Sequence, residues 1–222
     1  MTSKTTFGDY RPEFSIGEYN QLHYAVSKLL NDIQTATLVK VVSCTNSGGV
    51  SPVGFVDVLP MVFMIDGAGQ SIPHGECFNV PYLRIQGGAN AIIIDPAVGD
   101  IGICVFASRD ISKIKRVKVP SPPDSYRKFD YADGLYVGGV LNSTPTQYIQ
   151  FNGSGVTIAA PTVTISGNLV VSGTITGQSS SENTFNGKIH AINGLYQGSV
   201  DFNTHVHGGV TGGSDDTGGP VG

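Results

Sequence analysis

The sequence predicts an all-β protein with one N-terminal helix, in which a small antiparallel barrel is followed by a shaft of several copies wound together. Three observations predict it. Between Thr37 and Phe106, β-branched runs alternate with turn residues at roughly ten-residue intervals. Past residue 131 the chain becomes a Gly/Ser/Thr/Val/Ile repeat with almost no charge. It ends in Thr204-His205-Val206-His207-Gly208-Gly209, a histidine pair of metal-ligand type followed by small residues to Gly222.

Composition bounds the possibilities. A chain of 222 residues holds one or two domains on length alone. No apolar run approaches the ~20 residues of a membrane span, and Met1-Thr2-Ser3-Lys4-Thr5 lacks the apolar core of a secretory signal. The expectation is a soluble product made in the cytosol. Cys44, Cys77 and Cys104 are an odd set without C-x-x-C spacing, which suits small buried apolar residues better than a disulfide framework or zinc ribbon. Residues 1–130 carry 12 basic and 12 acidic side chains, whereas residues 131–222 carry one basic and five acidic. The charge therefore passes from zero to −4 along the chain. A nucleic-acid partner would need a cationic face, and the nearest approach to one, Lys113-Ile114-Lys115-Arg116-Val117-Lys118, reads as a solvated strand or linker.

Taken in order, residues 1–34 form a leader and an amphipathic helix. Ser15 and Glu18 have the spacing of a capping box, and Leu22, Ala25, Val26, Leu29, Leu30 and Ile33 follow at helical intervals. This stripe needs a partner, in its own domain or in a neighbouring subunit. Residues 35–118 read as the barrel. Its strands are expected at Thr37–Val42, Val53–Leu59 (broken at Pro60), Met61–Ile65, Tyr82–Gln86, Ala91–Ile94 and Ile101–Phe106. Five or so strands in ~80 residues suit an OB-fold or an SH3-like barrel, between which the pattern does not choose. Residues 119–131, with Pro120-Ser121-Pro122-Pro123, read as a stiff connector marking the boundary between the two halves.

Residues 132–200 are the expected shaft. Val156/Ile158, Val163/Ile165 and Leu169/Val171 each place two apolar side chains on one face of a short strand, with Gly or Gly-Asn between strands. Strands this short cannot bury a core within one chain; repeat architectures bury it by stacking. Three chains sharing an apolar axis, with Thr, Ser and Asn facing water, satisfy the pattern. Ser179–Asn183 reads as a loop, after which Thr184–Ala191 and Tyr196–Phe202 resume the short strands.

Residues 201–222 form the apex. His205 and His207 are two apart, so in an extended strand both imidazoles face one way. Three copies offer six nitrogens, an octahedral set that suits Fe(II), Ni or Co better than zinc. A fully ligated ion has no open position, which makes the site structural. No G-x-S-x-G, Walker, H-E-x-x-H or G-x-G-x-x-G motif occurs, and Asp215-Asp216 sit in a Gly/Ser run poorly suited to fixed carboxylate geometry. The expectation is a protein that is not an enzyme.

The chain resembles the central spike, or membrane-piercing baseplate protein, of contractile-tailed bacteriophages. Asn79-Val80-Pro81-Tyr82, Pro96-Ala97-Val98-Gly99-Asp100-Ile101-Gly102, Ser108-Arg109-Asp110, the Gly/Thr/Val shaft, Thr204–Gly209 and Thr217-Gly218-Gly219-Pro220 carry the resemblance. It implies an OB-fold barrel, then an intertwined trimeric triple-stranded β-helix and a metal-bound tip. It also implies one iron ion per trimer held by His205 and His207, with room for further ions in the shaft. Expected partners are two further copies, hub or tail tube proteins at the N-terminal end, and transiently the host outer membrane, with no nucleic acid. Synthesis in the host cytoplasm and residence in the virion baseplate complete the picture. A trimeric receptor-binding tail fibre or adhesin is the competing expectation, and it would end in a knob rather than a point.

Overall fold

The computed structural model describes residues 17–65, 70–177, 184–198 and 200–201. Its contacts divide the chain into two units, residues 1–160 and 161–222. In the first, helix α1 (Glu18–Asn31) precedes strands β1 (Ala36–Cys44), β2 (Phe55–Pro60), β3 (Met64–Ile65), β4 (Ser71–Ile72), β5 (Cys77–Pro81), β6 (Ile85–Gly87), β7 (Asn90–Ile92) and β8 (Ile101–Phe106). Then come a short helix α2 (Ser112–Val117), a 3-10 turn (Tyr131–Asp133), β9 (Gly134–Gly139), β10 (Tyr148–Asn152) and β11 (Gly155–Ala159). In the second unit the strands are β12 (Tyr196–Gln197) and β13 (Val200–Asp201), which pair as a hairpin. The protein is thus mostly β with an N-terminal helix.

Five strands form one antiparallel sheet in the order β5-β2-β1-β8-β9. It curls until its two edges touch: Tyr82 and Tyr136 form a single parallel bridge, and the Leu83 N–H donates to the Tyr136 carbonyl at 2.8 Å. Alternation dictates the interior. Val39 and Val41 of β1, Val56 and Val58 of β2, Cys77 and Val80 of β5, Cys104 and Phe106 of β8 and Tyr136 of β9 are all buried together. A side chain of this size contributes about 1.5–3 kcal/mol when fully buried. At Gly102 a Cβ would meet the Gly138 carbonyl and the Tyr136 ring, so β8 and β9 approach this closely only over glycine.

The Pro96–Asp100 turn docks on β1. Gly99 has φ 98°, a left-handed value that favours glycine. Its N–H donates to the Val41 carbonyl (2.9 Å), and the Val41 N–H returns a bond to the Asp100 carbonyl (2.8 Å). The Asp100 carboxylate accepts from the Ala97 N–H at 2.9 Å and fixes the turn.

Four expectations need correction. The Pro-rich stretch 119–131 does not end the curled sheet, because β9, just beyond it, supplies the fifth strand and pairs with β8. Lys113–Lys118 lies in helix α2 and its cap rather than a strand or linker; the helix closes on Lys118 in the left-handed region, whose N–H bonds to the Ile114 carbonyl. Helix α1 starts from Gly17 without a side-chain cap, so Glu18 is its first residue rather than the third of a capping box; Ser15 lies outside the described residues. The run Tyr82–Gln86 is not one strand: Tyr82 makes the isolated bridge and pairing resumes only at Ile85.

Candidate functional site

The polar candidates come first. Arg84 lies in an apolar run, Tyr82-Leu83-Arg84-Ile85, and Asp95 follows Ile92-Ile93-Ile94. Both side chains are buried, and the structure joins them: Arg84 Nη2 bonds to Asp95 Oδ1 at 2.5 Å. The Tyr82 hydroxyl donates to the same oxygen at 2.6 Å, the Gly48 N–H donates to Oδ2 at 2.8 Å, and Arg84 Nη1 donates to the Ser51 carbonyl at 2.6 Å. Burial alone would raise the Asp95 carboxyl, but the bonds from Tyr82, Arg84 and Gly48 outweigh it and hold it below its ordinary 3.8. This cluster ties the 46–52 loop to the segment between β5 and β8. Isolated charges inside apolar runs were its signal, since a buried charge requires a partner.

A second cluster folds the Pro-rich stretch back onto the barrel. Arg127 bonds to Asp110 (2.9 Å) and Asp133 (3.2 Å), both carboxylates being buried. Asp110 also accepts from the Ser125 hydroxyl (2.6 Å) and the Ser112 N–H (2.8 Å), while Asp133 accepts from the Ile111 N–H (3.0 Å). The Ser125 and Ser112 bonds, with the nearby Arg127 charge, push the Asp110 carboxyl well below the usual carboxylate range. These bonds cap α2 and explain why a cationic hexapeptide coils. The Ser108-Arg109-Asp110 motif therefore contributes Asp110 as a structural anchor. Both clusters act as clamps.

The thiols are set apart by burial. Cys77 and Cys104 are buried, Cys44 is half-buried, and none is paired. Burial raises the Cys77 thiol and pushes Cys104 up to about 12, which keeps both protonated and unreactive.

The third candidate is an apolar face. In the hairpin β10–β11, Ile149 stands opposite Ile158 and Phe151 opposite Val156, so one face carries four apolar side chains. The other carries Tyr148 with Ala159, Gln150 with Thr157 and Asn152 with Gly155. On the apolar face Phe151 is 79% exposed and Ile149 64%. Cross-strand pairs of this kind normally form one wall of a core; here none of the described residues covers them. In the second unit Val163, Ile165, Leu169 and Ile175 are also exposed, and residues 161–177 contain no strand. The short strands expected there have no ladder partner among the described residues. Residues 134–181 contain no Asp, Glu, Lys or Arg.

His205 and His207 lie outside the described residues. Among the described residues, no group of three or more His, Cys, Asp or Glu could hold a metal, and no helix is long and apolar enough to cross a membrane. His74 meets Tyr131 in a tilted contact, ring centroids 5.0 Å apart and planes at 50°, and His190 is exposed. No protein-family model matches the chain, and no curated protein matches its sequence.

Proposed function

We propose that this protein is the central spike of a contractile phage tail baseplate, a homotrimer that pierces the host outer membrane when the sheath contracts. The observation that carries the reading is the uncovered apolar face of β10–β11, followed by exposed Val, Ile and Leu residues through a charge-free stretch. Exposed apolar rows at period two are costly in water, and covering them is what drives association. With no charge between residues 134 and 181, copies can approach one axis without like-charge repulsion. Unpaired backbone in 161–177 gains its ladder from neighbouring copies, as a triple-stranded β-helix requires.

The mechanism is mechanical. An OB-fold barrel anchors the spike under the tail tube, and a slender neutral shaft transmits the thrust. At the tip, His205 and His207 supply two donors per chain. Two histidines fall short of the four ligands of an ordinary closed site, while the six of three copies exceed it. An iron ion held this way ties three chain ends together and resists fraying, a structural role that leaves the protein without catalytic activity.

Light scattering on the purified chain tests the assembly: the expected mass is about 70 kDa, three times 23.2 kDa, and a monomer overturns the proposal. Anomalous scattering at the iron edge should give one peak on the three-fold axis at the tip. No peak there removes the metal from the proposal.

A further inference from the structure

Helix α1 exposes its whole apolar side, with none of its 14 residues buried. Within the helix, Tyr19, Leu22, Val26 and Leu29 follow one another at intervals of three, four and three residues, the a/d spacing of a coiled coil, and Ile33, two residues past its end, keeps the same interval in sequence. Leu22 is 65% and Leu29 66% exposed. Ala25 and Leu30 flank this seam and widen it to the broader stripe of a bundle helix. We propose that the α1 helices of three copies pack on one another as a short parallel bundle, a second trimer interface separate from the shaft. This rests on the trimeric reading given above.

Topology places the bundle. The start of β1 pairs with the end of β8 (Ala36 opposite Val105), and the end of β8 pairs with the start of β9 (Phe106 opposite Gly134). Helix α1 therefore joins the sheet at one end, whereas the chain leaves β9 towards β10 at the other. The Gln34 N–H, just past the helix, donates to the Phe129 carbonyl at 3.1 Å and ties the base of α1 to the body. Three-fold rotation makes three such helices equivalent, and the proposed bundle stands them side by side along the axis.

Size selects the occupant. Five exposed aliphatic or aromatic side chains offer on the order of 300–500 Å² per helix, below the roughly 800 Å² per partner of a stable free complex. A single helix of this length is also marginal alone in water. Both deficits vanish when the partners are helices of the same trimer, because tethering raises their effective concentration to roughly millimolar or above. Val and Ile at a with Leu at d favour two strands in isolated coils; here the three-fold body sets the number.

Cysteine cross-linking of the full chain tests the bundle. Val26→Cys lies on the seam and Ser27→Cys on the opposite side. After mild oxidation, Val26→Cys should convert about two-thirds of chains to disulfide-linked dimers, since the third thiol of each trimer lacks a partner. Ser27→Cys and the wild type should yield less than about a tenth of that. A trimeric mass with no Val26→Cys cross-link, or equal cross-linking of both variants, overturns the bundle while leaving the spike reading intact; a trimer without cross-links is also the outcome expected if a hub protein covers α1. A monomeric mass overturns both. The double variant Leu22→Asp/Leu29→Asp should keep the trimer mass and lose the helical circular-dichroism signal of α1; unchanged helicity also overturns the bundle.

Discussion

The barrel and the segment that follows it use the same residues to opposite ends. In the barrel, Val39, Val41, Val56 and Val58 alternate with solvent-facing neighbours and close on one another within the chain. In β10–β11 and residues 161–177, Ile149, Ile158, Val163 and Ile165 alternate in the same way but remain exposed. The difference lies in what each strand can reach. Strands of five to nine residues in one curled sheet cover each other, whereas a lone hairpin or an extended run must find cover elsewhere. Stability of the curled sheet should therefore be a property of one chain, and, under the proposed trimer, stability of β10–β11 and residues 161–177 a property of concentration.

The largest expected effect breaks the barrel side of this contrast. Gly102→Val should cost about 3 kcal/mol or more, because the new side chain enters the β8–β9 contact occupied by the Gly138 carbonyl and the Tyr136 ring. Loss of sheet signal in circular dichroism checks it; a normally folded barrel would show that β8 and β9 do not pack so closely. Next, Val58→Ala should cost about 2 kcal/mol in denaturant melts, independent of protein concentration. Ile149→Ala should instead shift the midpoint only as far as protein concentration does. Equal concentration dependence for the two variants would erase the distinction.

A smaller effect concerns acid. The Asp110 carboxyl is held below its ordinary 3.8 in the fold, so its contribution is present above that value and is lost as pH falls through the folded one. Stability of the first unit should decline below about pH 4, and Asp110→Asn should flatten that decline in acid titrations followed by tyrosine fluorescence. At the other end of the scale, Cys104 is raised to about 12 from 9.0. Its contribution is intact below pH 9.0 and fades as pH rises towards 12. The smallest effect is chemical. Of the three thiols, only half-buried Cys44 should react with iodoacetamide in the native protein, and all three after denaturation. Mass spectrometry counts the adducts.

Much of the barrel was legible because period-two burial writes itself into composition. Ile101–Phe106 is a strand with the expected limits, and Thr37–Val42 and Val53–Leu59 miss by a few residues at their ends. The Pro-rich stretch misled because prolines forbid regular structure without saying where the chain goes next. Its return to the sheet depends on Arg127 meeting Asp133, six residues on, and Asp110, seventeen residues back, a three-way pairing that no periodicity signals. Helix α2 is partly hidden for a similar reason: Asp110 bonds the Ser112 N–H locally, but the Ile111 N–H just before the helix bonds to Asp133, over twenty residues away. The pair Arg84–Asp95 left only a hint, two charges stranded among apolar neighbours.

By itself the sequence determined the alternation of apolar and polar faces, the charge-free stretch and the heptad spacing of α1, since each is a local periodicity fixed by backbone geometry. Only the tertiary structure decided that β9 closes the curled sheet and which carboxylates are buried against which arginines. It also decided that none of the described residues covers the apolar faces of α1 and β10–β11. Those outcomes depend on which distant strands meet, and pairing across a sheet is chosen by the whole chain rather than by any one segment of it.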